Sequence, residues 1–175
     1  SENNKKNILY APTFRKNSDD ADALKNMIDA VDFEMYDLII RPHDKQHFSV
    51  EDNRVITIKE FPSMELLTVA DVLITDYSAV TFEAAVLGVP TCYYLYDYED
   101  YKKKNGLNID IAKEIPEAVF FDAADYKNAI DHETKERSNL IREKYLPDVL
   151  GNSTERIADL IIEKTKQFES QDETK

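Results

Sequence analysis

Glycine and cysteine are scarce in this sequence, with three glycines and one cysteine in 175 residues. Three glycines, at positions 88, 106 and 151, cannot build a phosphate-binding P-loop, and no G-x-G-x-x-G occurs, which argues against dinucleotide oxidoreductase chemistry. A lone Cys92 excludes an internal disulfide and a cysteine-based zinc site. It lies inside an apolar run, as a small buried hydrophobe would, and a reducing compartment is expected. No run of ~18 apolar residues is present to span a bilayer. Positive charge is also short. A net charge of −13 would repel nucleic acid or an anionic membrane over most of the surface, so any phosphate binding must be local and no nucleic-acid partner is expected. The first residues, Ser1 to Asn7, carry no initiator Met and no apolar signal run. A chain cut from a longer one, or processed, would begin this way.

What is present is the composition of a folded domain, 42% hydrophobic and 33% charged. Short apolar runs alternate with helical patterns. The expected strands are Ile8–Ala11, Leu38–Ile40, Arg54–Ile58, Val72–Thr75, Thr91–Leu95 and Val119–Phe121. Their near-continuous apolar character is that of parallel strands covered on both faces. Helices are expected over Asp19–Val31 with Ser18 as cap, from Ser63 as cap through Ala70, over Ala79–Leu87 after Ser78, and over Arg156–Phe168 after the capping box Asn152-Ser153-Thr154-Glu155. This alternation predicts an α/β fold, a doubly wound Rossmann-like parallel sheet. The expected organisation is a disordered or non-native start over 1–7, one α/β domain over 8–168, and a frayed tail over 169–175.

Ligands of open parallel sheets bind beyond the carboxyl ends of the strands, and the distinctive polar residues collect there. After the first strand come Thr13 and Arg15, after the second Arg41 and His43, after the fourth Thr75, Asp76, Tyr77 and Ser78, and after the fifth Asp97. The helix start after Ser78 suits a phosphate, and the two arginines suit bidentate contacts to it. Asp76 suits a ribose or glycerol hydroxyl, or a role in orienting the loop. Taken singly, each has a plainer reading: Ser78 as a helix cap, Asp76 as the end of a turn. Pro42 makes the His43 segment a turn, so His43 and His47 do not form a helical metal pair, and no metal or cofactor is expected. His43 fits a donor to a phosphate oxygen or an acid–base group, whereas His47 and His132 fit solvated surface positions. Lys102-Lys103-Lys104 fits a solvated charge run.

Five segments in order resemble the carboxyl-terminal half of the CDP-glycerol:poly(glycerophosphate) glycerophosphotransferase family. They are Ile8 to Arg15, Arg41-Pro42-His43, Ile74 to Ser78, Tyr96-Asp97 with Tyr101, and Gly151 to Arg156. The resemblance implies the nucleotide-binding half of a GT-B transferase. It implies CDP-glycerol or a related CDP-alditol as donor, CMP as leaving group, and a lipid-linked teichoic acid acceptor met through a missing amino-terminal half. It places the full-length protein in the cytoplasm, peripheral on the inner face of the membrane, and leaves the isolated fragment inactive. His43 matches a catalytic or donor-phosphate histidine. Ala79 replaces a frequent second serine, Asn105-Gly106 an Arg-Gly, and Pro116-Glu117 a Pro-Gly. CDP-ribitol is therefore an alternative donor. A GT-B glycosyltransferase using a sugar nucleotide is a second enzymatic reading. A response-regulator-like binding module is a third, weakened because Tyr10–Arg15 holds no carboxylate.

Overall fold

The computed structural model describes residues 5–15, 20–43, 45, 50–131, 135–146 and 151–172. Ser18, His47 and His132, which carried expectations above, lie outside them. Six strands form one sheet: β1 (Lys6–Tyr10), β2 (Tyr36–Ile40), β3 (Val55–Thr57), β4 (Val72–Thr75), β5 (Thr91–Tyr94) and β6 (Val119–Phe120). Every pairing is parallel and the order is β3-β2-β1-β4-β5-β6. The order reverses between β1 and β4, the switch point at which doubly wound sheets open a crevice. All six expected strands are present.

Successive residues of a strand face opposite sides, so β1 sends Ile8 and Tyr10 to one core and Leu9 with Ala11 to the other. The first core packs beneath α1 (Asp20–Ala30), whose Leu24, Met27 and Ile28 repeat at helical spacing. The second core packs beneath α2 (Ser63–Leu67) and α3 (Val80–Leu87), through Leu66, Leu67, Val80 and Ala84. Cys92 is fully buried in the first core. Burial on both faces explains why β1, β2, β4 and β5 lack polar alternation.

Helix starts differ from expectation. Ser63 is not a cap but the first helical residue of α2. Pro62 holds the cap position in an extended conformation, and no side chain bonds the helix end. α2 closes through Thr68, Val69 and Ala70 by bonds to residues three back, the tighter 3₁₀ pattern. Gly88 ends α3 at φ +69°, a left-handed position that glycine adopts without strain, and Val89 N then bonds Ala84 O at 2.9 Å. Four further helices were not expected: α4 (Tyr98–Asn105), α5 (Ile111–Glu114), α6 (Tyr126–Asp131) and α7 (Lys135–Tyr145).

The chain divides into two compact units, Ser1–Tyr145 and Leu146–Lys175. The second unit contains α8 (Ser153–Asp172), which starts within the expected capping box and continues past Phe168 as far as Asp172.

Candidate functional site

The carboxyl ends of β1, β2, β4 and β5 carry a bonded rim. Its centre is Asp76, directly after β4 and only 4% exposed. Oδ1 of Asp76 accepts three bonds, from Thr13 N at 2.9 Å, Thr13 Oγ1 at 2.5 Å and Tyr77 N at 2.6 Å. Oδ2 accepts from Arg15 Nη2 at 2.9 Å. Burial pushes the Asp76 carboxyl above its ordinary range, against the pull of Arg15 and of the Thr13 and Tyr77 donors. Of the two roles expected for Asp76, this geometry supplies the orientation of the loops.

Arg15 lies between two carboxylates. Its Nε donates to Asp97 Oδ2 at 2.9 Å, its Nη2 also reaches Asp97 Oδ1 at 3.3 Å, and its Nη1 donates to Thr13 O at 3.1 Å. The Tyr77 hydroxyl donates to the same Asp97 Oδ1 at 3.2 Å. Burial and the neighbouring Asp97 carboxylate push the Tyr77 phenol up, so it remains a donor. The Tyr77 and Tyr101 rings stack with centroids 3.7 Å apart, and the Arg15 guanidinium lies 4.6 Å from the Tyr101 centroid and 5.2 Å from that of Tyr77.

Not every expected site residue is available to a ligand. Thr75 is fully buried, and its hydroxyl donates to Ala11 O at 2.7 Å, which fastens β4 to β1. Arg41 donates from Nε to Phe61 O at 2.8 Å and from Nη1 to Pro42 O, joining the loops after β2 and β3. Arg15 and Arg41, both expected to make bidentate phosphate contacts, are engaged in contacts within the protein. His43, by contrast, is exposed and its ring packs 5.5 Å from that of Phe14 in the neighbouring loop. Its Nδ1 accepts from Lys45 N at 3.2 Å, which puts the proton of the neutral ring on Nε2.

Ser78 stands at the edge of this network. Its hydroxyl accepts from Val80 N at 3.3 Å, while Ala79 takes the cap position of α3. The amides of Thr81 and Phe82 turn back to Ser78 O and Ala79 O. Beside this turn lies a cavity of about 230 Å³, lined by Ser78, Phe82, Tyr98, Tyr101, Leu107 and Ile109 among others. Its outer wall is tied down by Asp110, which accepts from Tyr98 Oη at 2.7 Å and from Lys102 Nζ at 3.0 Å. Lys102 is thus paired, not simply solvated. On the other side of Asp97 a shallower groove of about 600 Å³ carries Asp22, Glu99 and Asp100, a charge set hostile to phosphate. Among the described residues, no group of three or more His, Cys, Asp or Glu side chains is arranged to hold a metal ion.

Tyr77 and Tyr101 were singled out from sequence, whereas Phe82 and the apolar part of the wall were missed. Leu107, Ile109 and Ile111 alternate along a short connection that has no motif, and Phe82 lies inside a helix. The acidic start and basic end of Tyr98–Lys104 was a usable signal for α4, since it complements a helix dipole.

A family model described as CDP-Glycerol:Poly(glycerophosphate) glycerophosphotransferase matches residues 1–163. The chain belongs to this family. The teichoic acid ribitol-phosphate primase of Bacillus spizizenii is 32% identical over 171 residues, covering 90% of this chain and 44% of that protein. The teichoic acid glycerol-phosphate primase of Staphylococcus aureus is 35% identical over 115 residues, covering 63% of this chain and 29% of that protein. The chain therefore spans less than half the length of these relatives. Among solved structures, the wall teichoic acid polymerase TagF superposes with a TM-score of 0.61 at 24% identity, over 94% of this chain and 44% of that one. The glycotransferase of kitacinnamycin superposes at 0.55 and 19% identity, over 93% of this chain and 44% of that one. These likenesses show a fold shared with both of those proteins.

Proposed function

We propose that this chain is the donor-binding half of a CDP-glycerol glycerophosphotransferase of teichoic acid synthesis. The observation that carries the reading is the aromatic-walled cavity opening beside the Ser78 turn at the start of α3. A helix start offers the positive end of a dipole to a pyrophosphate, and the neighbouring rings offer a face to the rest of the donor. A cavity of about 230 Å³ is enough for part of such a donor, not all of it, so the remainder extends along the rim.

In the reaction we propose, a hydroxyl of a lipid-linked acceptor attacks the phosphorus that bears glycerol. The new P–O bond forms as the bond to CMP breaks, and the hydroxyl proton is released. His43 carries its proton on Nε2 in the neutral ring, which suits donation to an oxygen of the departing phosphate. The acceptor is met through another half of the enzyme, at the cytoplasmic face of the membrane. In this reading contact there is peripheral; no helix among the described residues is long and apolar enough to cross a membrane. A second reading, CDP-ribitol as donor, is favoured by the ribitol-phosphate primase, which aligns with 90% of this chain.

Calorimetric titration with CDP-glycerol, CDP-ribitol, UDP-glucose and CMP tests the proposal. We expect the CDP-alditols and CMP to bind and UDP-glucose not to, with no steady CMP release when a primer analogue is added. The acceptor is unpositioned on this half, and the orientation advantage of a closed site is absent. Tighter binding of UDP-glucose would move the chain to the sugar-nucleotide enzymes, and steady turnover would show that it is a complete site.

The Ser78 turn can be probed separately. Ser78→Ala removes the acceptor for Val80 N and should cost about 1 kcal/mol of stability. Ser78→Asp keeps an acceptor there but places a negative charge at the proposed phosphate position. Ser78→Asp is expected to melt near the parent yet bind CDP-glycerol more weakly than Ser78→Ala does. Parent-like affinity in Ser78→Asp would put the phosphates elsewhere on the rim.

A further inference from the structure

Arg15 is the cation nearest the centre of the rim, and a phosphate contact is the obvious role for it. The geometry points to another: we infer that Arg15 is a positioning residue that holds the Tyr77–Tyr101 wall of the cavity and does not touch the donor phosphates. This inference rests on the cavity being the donor site proposed above.

Three observations carry it. First, the planar fork is already engaged on both sides, with Asp76 Oδ2 at 2.9 Å and Asp97 Oδ2 at 2.9 Å. The side chain is 12% exposed, against 3% for Asp76 and 21% for Asp97. Second, one cation between two carboxylates leaves a net charge of −1, so a phosphate arriving at Arg15 meets no net attraction. Third, the guanidinium is in contact with both stacked rings, and Asp97, which it fixes, also accepts from the Tyr77 hydroxyl. Both rings line the cavity beside Ser78. Arg15 thereby joins three loops, after β1, β4 and β5, to one wall. Lysine cannot replace it, because an ammonium cannot bridge two carboxylates with a rigid planar fork.

Arg15→Lys and Arg15→Met separate the two roles. A direct phosphate contact through a single nitrogen tolerates lysine, which keeps the charge, and loses affinity only with methionine; a bidentate one is weakened by both but leaves the ligand-free rings in place. A positioning role fails with both. We expect each substitution to weaken CDP-glycerol binding by about tenfold or more, as a misplaced wall would. Each should also shift the fluorine resonances of Tyr77 and Tyr101 in fluorotyrosine-labelled chain without ligand, assigned by Tyr77→Phe and Tyr101→Phe. Unmoved resonances in Arg15→Lys overturn the inference, and so does parent affinity in Arg15→Lys alongside lost affinity in Arg15→Met. Should Arg15→Met not fold, Arg15→Lys alone decides, by its resonances and its affinity. A parent chain that binds no CDP-glycerol refutes the proposed donor site instead, while the ligand-free resonances still judge whether Arg15 positions the wall.

Discussion

Replacing His43 with alanine in the full-length enzyme is expected to lower turnover roughly ten- to ten-thousandfold, the range of a lost proton-transfer group, while the melting curve stays with the parent. The expectation follows from where the side chain lies. It is exposed on the loop after β2, outside both cores, and its ring contact is to Phe14 at the rim. Loss of such a contact has little to remove from the folded state, whereas in the reaction proposed above loss of the Nε2 proton removes a donor to the departing phosphate. His43→Gln retains an amide donor and should recover part of the rate if hydrogen bonding, not proton transfer, is the larger share. Single-turnover CMP release and a thermal melt on the same preparations decide it. A variant that melts early but keeps its rate per folded molecule would make His43 structural.

Asp76 should behave in the opposite way. Asp76→Ala is expected to destabilise the chain by about 3–5 kcal/mol, the cost of removing one partner from a buried ion pair. Two bonds from Thr13, one from the Tyr77 amide and one from Arg15 lose their common acceptor together, and little water can reach the gap. Asp97→Ala removes a partner of the same arginine but should cost less, because the Asp97 side chain is 21% exposed and water can substitute. Urea denaturation of both variants gives the comparison. An Asp76→Ala chain within about 1 kcal/mol of the parent would return Asp76 to the role of a ligand-binding carboxylate.

Much of the architecture was legible because its signals are local. A strand buried on both faces is a short apolar run wherever it lies, so β1, β2, β4 and β5 were found; the half-exposed edge strand β3 and the two-residue β6 carry short apolar runs as well. Helix starts were less legible. Ser63 and Ser78 are both good capping residues, yet Pro62 holds the cap position in one case and Ala79 in the other. A serine one or two positions from a helix looks the same in sequence whether it caps, begins the helix, or closes the turn before it. α4 and α7 were passed over for a related reason. Both are mostly polar, with charge runs that suggest a solvated loop until a packed neighbour is known.

By itself the sequence determined that this is a doubly wound parallel sheet, that its polar residues gather at the carboxyl ends of the strands, and that the chain resembles the glycerophosphotransferases. It also singled out Thr13, Arg15, Arg41, His43, Thr75, Asp76, Tyr77, Ser78 and Asp97 at those strand ends. Only the tertiary structure decided that Thr13, Arg15, Asp76, Tyr77 and Asp97 among them bind one another. Arg15 meets Asp76 across 61 positions of sequence and Asp97 across 82, and no periodicity spans such distances. The strand order does so, by laying β1 beside β4 and β4 beside β5, so that three loops far apart in the chain end at one place. Burial then sets their roles. In a site closed to water a carboxylate needs its partners from the protein, and Asp76 and Arg15 supply them to each other.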